Sequence, residues 1–164
     1  MNFYRIKQFY WAMGSSISML DIEFVKNKLT LSELDLFYRL SVSEQKHSIR
    51  VAYDVENMCM DMGINPKILV KAALLHDIGK TYKRLNIIDK SIIVIVDNIT
   101  RGSIKQFSSI SKLDVYYNHA KIGYDILKKY INDNRLLYLV KNHHNDKIKG
   151  DIQLNILRIC DSIN

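Results

Sequence analysis

The stretch Leu74-Leu75-His76-Asp77-Ile78-Gly79-Lys80 decides how this chain reads. It sets an imidazole and a carboxylate side by side at the end of an apolar run, followed by a glycine and a lysine. Neighbouring residues on a helix point about 100° apart, so the pair converges on one object only at a helix end or where that object spans both positions. A metal ion meets that condition, because neutral imidazole and ionised carboxylate are both good ligands for first-row divalent cations. Gly79 is expected to let the backbone turn and bring Lys80 back toward whatever the pair holds. The plainer alternative is a helix C-terminus with a solvated His-Asp pair, and the rest of the chain decides between the two.

Upstream of this stretch, Lys67 to about Ile78 is apolar nearly all round, through Ile68, Leu69, Val70, Ala72, Ala73, Leu74 and Leu75. That pattern predicts the central, most buried helix, opened by Pro66 at its first position. Before it, Ser43 is expected to cap a longer helix that ends near Gly63 and carries His47 and Arg50 in its first turns. Thr30-Leu31-Ser32-Glu33 has the pattern of a capping box for a helix reaching about Leu40, and Asp21 is expected to cap a helix over Ile22–Leu29. Asn2–Met13 reads as a short amphipathic helix. Downstream, Ile87–Ile99 reads as a helix or a strand, with helix preferred for its helical company, and Arg101–Ser111 as a polar loop near the site. Asp114–Tyr130 is helical with His119 near its start. Asn134–His144 is helical and ends in a histidine pair, and Asp151 caps a last helix through Asp161. With one proline, six glycines and no repeat or linker, the expectation is an all-α, single-domain helical bundle. Residues 1–42 would form a helical extension packed on a core over 43–164.

Composition narrows the function classes. The 164 residues make one ordinary domain with a sizeable core. No window approaches eighteen uncharged apolar residues, so no membrane span is expected. The first residues mix basic and aromatic side chains and lack the apolar region and cleavage site of a signal peptide. Cys59 and Cys160 are isolated, which fits a reducing cytoplasm. The net charge of +7 attracts anions. The basic residues are dispersed and form no nucleic-acid module, so a small phosphorylated substrate is the expected partner rather than nucleic acid. Nothing sets the oligomeric state.

The five histidines fall in four clusters, each on a separate predicted helix: His47, His76-Asp77, His119 and His143-His144. Asp161 closes the set at the end of the apolar segment Ile156-Leu157-Arg158-Ile159-Cys160. A carboxylate in apolar company is costly unless it is paired or bound to a cation. The consecutive pair leaves open whether both His143 and His144 ligate or one is solvated. His119 has a helix-capping alternative. Lys80 and Arg50 are candidates for contact with a substrate phosphate, against the reading of solvated cations. Lys83, Arg84, Arg101 and Lys105 are expected to be surface charges.

At these residues the sequence resembles the HD-domain metal-dependent phosphohydrolases. The matching segments are His47 in HSIRV, His76-Asp77 in LLHDIGK and Asp161 in LRICDS. The additional His119 in NHAKIGYDIL and His143-His144 in VKNHHN are similar to the members with two or more metals. The resemblance implies one ion held by His47, His76, Asp77 and Asp161. Asp77 would bridge to a second ion held by His119 and by His143 or His144. It implies divalent transition metals, iron, manganese, zinc or nickel, with magnesium permitted, which would activate a water for attack on phosphorus. Size and the position of the last Asp are similar to small bacterial hydrolases of diadenosine tetraphosphate. The Gly-Tyr-Pro signature of the cyclic-di-GMP branch is missing, and Asn145 stands where that branch carries an acidic residue. The same scaffold also permits a di-iron oxygenase, or a catalytically silent nucleotide-binding regulatory module.

Overall fold

The molecule is built around one short apolar helix. In the computed structural model, which describes residues 16–83 and 111–164 with positions 93, 94, 96, 97, 99, 100 and 103 between them, that helix is Lys67–Leu75. Leu69, Val70, Ala72, Ala73, Leu74 and Leu75 are all buried along it. Lys67 at its start is exposed, Ile68 is half-buried, and Lys71 reaches Glu33 at 2.9 Å. A helix with no polar face has to be surrounded.

In chain order the described elements are α1 (Met19–Lys28), α2 (Leu31–Tyr38), α3 (Val42–Asp61), α4 (Lys67–Leu75), a 3-10 turn η1 (Ile78–Thr81), α5 (Ser111–Leu127), α6 (Asn134–Asn142) and α7 (Ile152–Ile163). There is no strand among the described residues, and the fold is all-α. Helices α1, α3, α6 and α7 all pack on α4, and α5 lies across η1 and α6. Ile49, Val51, Ala52, Val55 and Cys59 of α3 and Leu154, Leu157 and Cys160 of α7 are buried in the same core. So are Val25 and Leu29 with Leu36, Phe37 and Leu40, so residues 17–42 share one core with the rest of the chain. The Arg135 guanidinium at the start of α6 binds both carboxylate oxygens of Asp151 at the start of α7 and donates to Gln153. This link fixes one end of the α6–α7 pair.

Two helix starts differ from expectation. Helix α1 is capped by Ser18 rather than Asp21. The Ser18 hydroxyl accepts from Asp21 N–H at 3.1 Å, and the Asp21 carboxylate accepts from Ser18 N–H at 2.9 Å. Helix α3 is capped by Ser41 rather than Ser43, with Glu44 reciprocating at 3.0 Å. In both, a serine and the acid three residues on each accept from the other's amide, so two free amides are satisfied, which a single cap cannot match. The Thr30 amide donates to Glu33 at 2.7 Å, as that pattern predicted. Helix α4 starts one residue after Pro66 and stops at Leu75, before the expected Ile78. Helix α5 begins at Ser111, so His119 lies in its middle and not near its start. The helix expected over Asn2–Met13 lies outside the described residues, as do Arg84, Arg101 and Lys105. Of the 101–111 loop, Ser103 is described and Ser111 already belongs to α5. The described positions 93, 94, 96, 97 and 99 are helical.

Leu74 has no exposed surface. Leu74→Ala should therefore cost about 2–5 kcal/mol, read as a lowered midpoint in urea unfolding. A loss below about 1 kcal/mol would contradict a central α4.

Candidate metal centre

Five elements bring seven side chains to one point. His47 comes from the second turn of α3 and Asp161 from the last turns of α7. His76 is the C-cap of α4, and His143 is the C-cap of α6 with His144 beyond it. His119 projects from the middle of α5. Asp77 sits between α4 and η1 with φ −93° and ψ 5°, a bridge-region conformation common at active sites.

Three of the imidazoles are held from behind in the same way. His76 Nδ1 lies 2.7 Å from Ala73 O, His119 Nδ1 3.2 Å from Tyr116 O and His143 Nδ1 2.7 Å from Val140 O. A carbonyl only accepts, so each Nδ1 carries the proton and donates. In the neutral ring each Nε2 then presents a lone pair to the centre. All three acceptors are the carbonyl three residues back, which a helical turn puts beneath the ring.

Asp77 divides the centre. Its Oδ1 faces His119 Nε2 at 3.4 Å. Its Oδ2 faces His76 Nε2 at 3.6 Å and His47 Nε2 at 3.9 Å. On the second side Asp161 Oδ1 is 3.0 Å from His47 Nε2 and 3.3 Å from His76 Nε2. On the first, His144 Nε2 is 3.0 Å from His119 Nε2, and the His143 ring packs against both. Two triads result, His47–His76–Asp161 and His119–His143–His144, each with ligand atoms close enough for one ion. His76, Asp77 and His143 form a third such group between them.

The charges follow from this arrangement. Burial would raise the Asp77 carboxyl, but Lys80, His76 and His119 hold it well below its usual range. Burial likewise opposes ionisation of Asp161, and His76 and His47 overcome it. Burial pushes His76 down, yet Asp77 and Asp161 raise it to about 9. His119 is lowered to about 4 by burial, and burial also lowers His144 and, strongly, His143. At neutral pH two carboxylates thus face three neutral imidazoles, and a proton on His76 balances part of the negative charge.

The donor set fits divalent metal ions. His76 Nε2, Asp77 Oδ1 and His143 Nε2 are fully buried polar atoms without hydrogen-bond partners. Each leaves a desolvation cost of about 1–3 kcal/mol uncompensated. All three converge on the same space; a divalent cation satisfies the lone pairs of Asp77 Oδ1 and His143 Nε2 and displaces the proton that His76 Nε2 carries in the metal-free protein. Imidazole-rich ligation suits transition metals.

Lys80 Nζ lies 2.5 Å from Asp77 Oδ2, at the edge of the centre. Arg50 is half-buried one turn beyond His47, and Lys83 is exposed. Gly79 serves a purpose other than the expected turn. Among the described glycines only Gly63 and Gly150 have positive φ. A Cβ on Gly79 would instead lie 1.9 Å from His119 O and 2.7 Å from Gly123 N. Two bare backbones therefore meet where η1 crosses α5, and this sets Asp77 against His119. Gly123 escaped the sequence reading; its signal was a glycine one helical turn after His119.

A family model described as HD domain matches residues 45–164. Among curated proteins, ribonuclease Y of Pelobacter propionicus is 27% identical over 130 residues, covering 78% of this chain and 19% of the relative. Ribonuclease Y of Geotalea uraniireducens and of Clostridium tetani are each 28% identical over 130 residues, with the same coverage. The chain thus spans about a fifth of the length of these relatives. No solved structure matches.

Gly79→Ala should destabilise by about 1–3 kcal/mol through overpacking against α5, measured by urea unfolding; an unchanged midpoint would contradict the close crossing. The lowered histidines also set a pH dependence for metal-free protein. His119, His143 and His144 bind protons more readily unfolded than folded, so their effect reduces stability as pH falls below about 6.5. The raised His76 acts oppositely: its stabilisation is full below about 6.5 and is lost as pH rises through about 9. Three groups outweigh one on the acid side. The melting temperature in chelator should fall between pH 7 and pH 5, and a flat or rising profile would contradict these environments.

Proposed function

This chain belongs to the HD-domain family, and from that membership we propose that it hydrolyses a phosphoester or phosphoanhydride bond in a nucleotide or related small phosphorylated molecule. The superfamily of the HD domain is one of metal-dependent phosphohydrolases. The observation that carries the reading is the placement of Asp77 between two ligand triads, with three unpartnered buried polar atoms directed into them.

One ion would be held by His47, His76 and Asp161 and another by His119, His143 and His144, with an oxygen of Asp77 toward each. Ions of this kind acidify a water and neutralise developing charge on phosphoryl oxygens. The protein's own groups supply the rest. Asp77 and Asp161 stay ionised and provide the negative charge that retains cations. The back-bonded imidazoles are locked in one tautomer, so little reorganisation is needed on loading. Lys80, held at Asp77, adds positive charge at the edge where a phosphate would enter, and Arg50 is assigned the same role from α3.

The name ribonuclease Y on the relatives favours a second substrate, the phosphodiester of an RNA strand. A net charge of +7 suits either substrate.

The test is hydrolysis by chelator-stripped protein reloaded with manganese, zinc, iron or nickel. The panel would hold a dinucleoside tetraphosphate, a nucleoside monophosphate, a cyclic dinucleotide and a short RNA. Turnover should require metal, and Asp77→Asn should lower it about 10²–10³-fold. Unchanged turnover in Asp77→Asn with metal still bound would refute the mechanism.

A further inference from the structure

Arg158 is a cation in an unusual setting. It lies on α7 one turn before Asp161, half-buried, and has no carboxylate partner among the described residues. All of its hydrogen bonds go elsewhere. Nε donates to His143 O at 3.2 Å. Nη1 donates to Ile148 O at 3.0 Å and to Asn155 Oδ1 at 3.4 Å. Nη2 donates to Asn142 O at 3.2 Å and, in a short contact, to Asn145 O. A guanidinium has five N–H groups, and here each one has its own acceptor.

Four of those acceptors are main-chain carbonyls of the segment that leaves α6 and carries His143 and His144. A helix C-terminus leaves carbonyls without intrahelical partners and bears partial negative charge, so a cation is favoured there. The segment after Asn142 has no further regular structure until α7. The His143 ring is pinned to Val140 O from behind. Within the turn Asn145 N–H donates to Asn142 O at 2.9 Å and Ile148 N–H to Asn145 O at 3.1 Å, and Arg158 ties these same carbonyls and those of His143 and Ile148 to α7.

We infer that Arg158 is a positioning residue for the metal centre: it sets His143 and His144 by binding the carbonyls of their turn. This rests on the metal-centre reading above. Helix α7 would then organise both halves, giving Asp161 directly to one triad and, one turn earlier, the guanidinium that shapes the other. Lysine cannot replace it, because an ammonium cannot span four carbonyls as a planar fork does.

The test is titration of chelator-stripped protein with zinc in competition with a chromophoric chelator, for wild type, Arg158→Lys and Arg158→Ala. Arg135→Lys serves as control, since it weakens the other α6–α7 link away from the centre. Wild type should bind two ions. Arg158→Lys should weaken one ion about 10–100-fold and leave the other unchanged. In His144→Ala the same ion should be the weakened one. Arg135→Lys should lower the melting temperature and keep both affinities. If Arg158→Ala fails to fold, Arg158→Lys carries the test alone. Equal loss of both ions, or loss of stability with both affinities intact, overturns the role of Arg158 and leaves the metal centre standing. Wild type that binds no ion overturns the metal centre, and this inference with it.

Discussion

The structure depends on a single buried carboxylate. Asp77 is 1% exposed, ionised, and placed so that its two oxygens face different groups of imidazoles. An unpaired carboxylate in that position would cost several kcal/mol. Lys80 and a proton on His76 offset some of this without metal. The unpartnered His76 Nε2, Asp77 Oδ1 and His143 Nε2 remain as a residual cost. Divalent cations answer both deficits at once, since they carry charge and accept lone pairs, that of His76 Nε2 once its proton has left.

Holding that carboxylate requires most of the fold. The apolar α4 carries His76 and Asp77 to the middle of the molecule, where solvent cannot compete. Glycines at 79 and 123 let η1 and α5 approach until His119 reaches Asp77. The C-terminal ends of α4 and α6 present their histidines in the same way, each ring hydrogen-bonded to the carbonyl three residues earlier. Helix α7 closes the arrangement from the other side with Asp161. Core packing and ligand geometry are therefore the same constraint. A shift of any one of α3 to α7 would change a distance between ligands.

Much of this was legible in the sequence because it depends on local pattern. The apolar run of α4, interrupted only by Lys71, announced its burial, and the ordered histidines with Asp161 announced a shared centre. The capping serines at 18 and 41 were misassigned because the acids at 21 and 44 each serve a box that begins three residues earlier. The start of α5 was placed late, which put His119 at a helix end instead of its middle. What sequence spacing does not carry is contact across elements. The crossing of Gly79 over α5, the division of Asp77 between two triads and the grip of Arg158 on the 142–148 segment all join residues distant in the chain.

The most direct measurement is anomalous diffraction from crystals of the protein loaded with manganese. Two peaks are expected. One should lie within ligand distance of His47, His76 and Asp161, the other within ligand distance of His119, His143 and His144, with an Asp77 oxygen on each. No peak in this centre, or peaks that leave Asp77 unligated, would contradict the organisation of the molecule around that carboxylate.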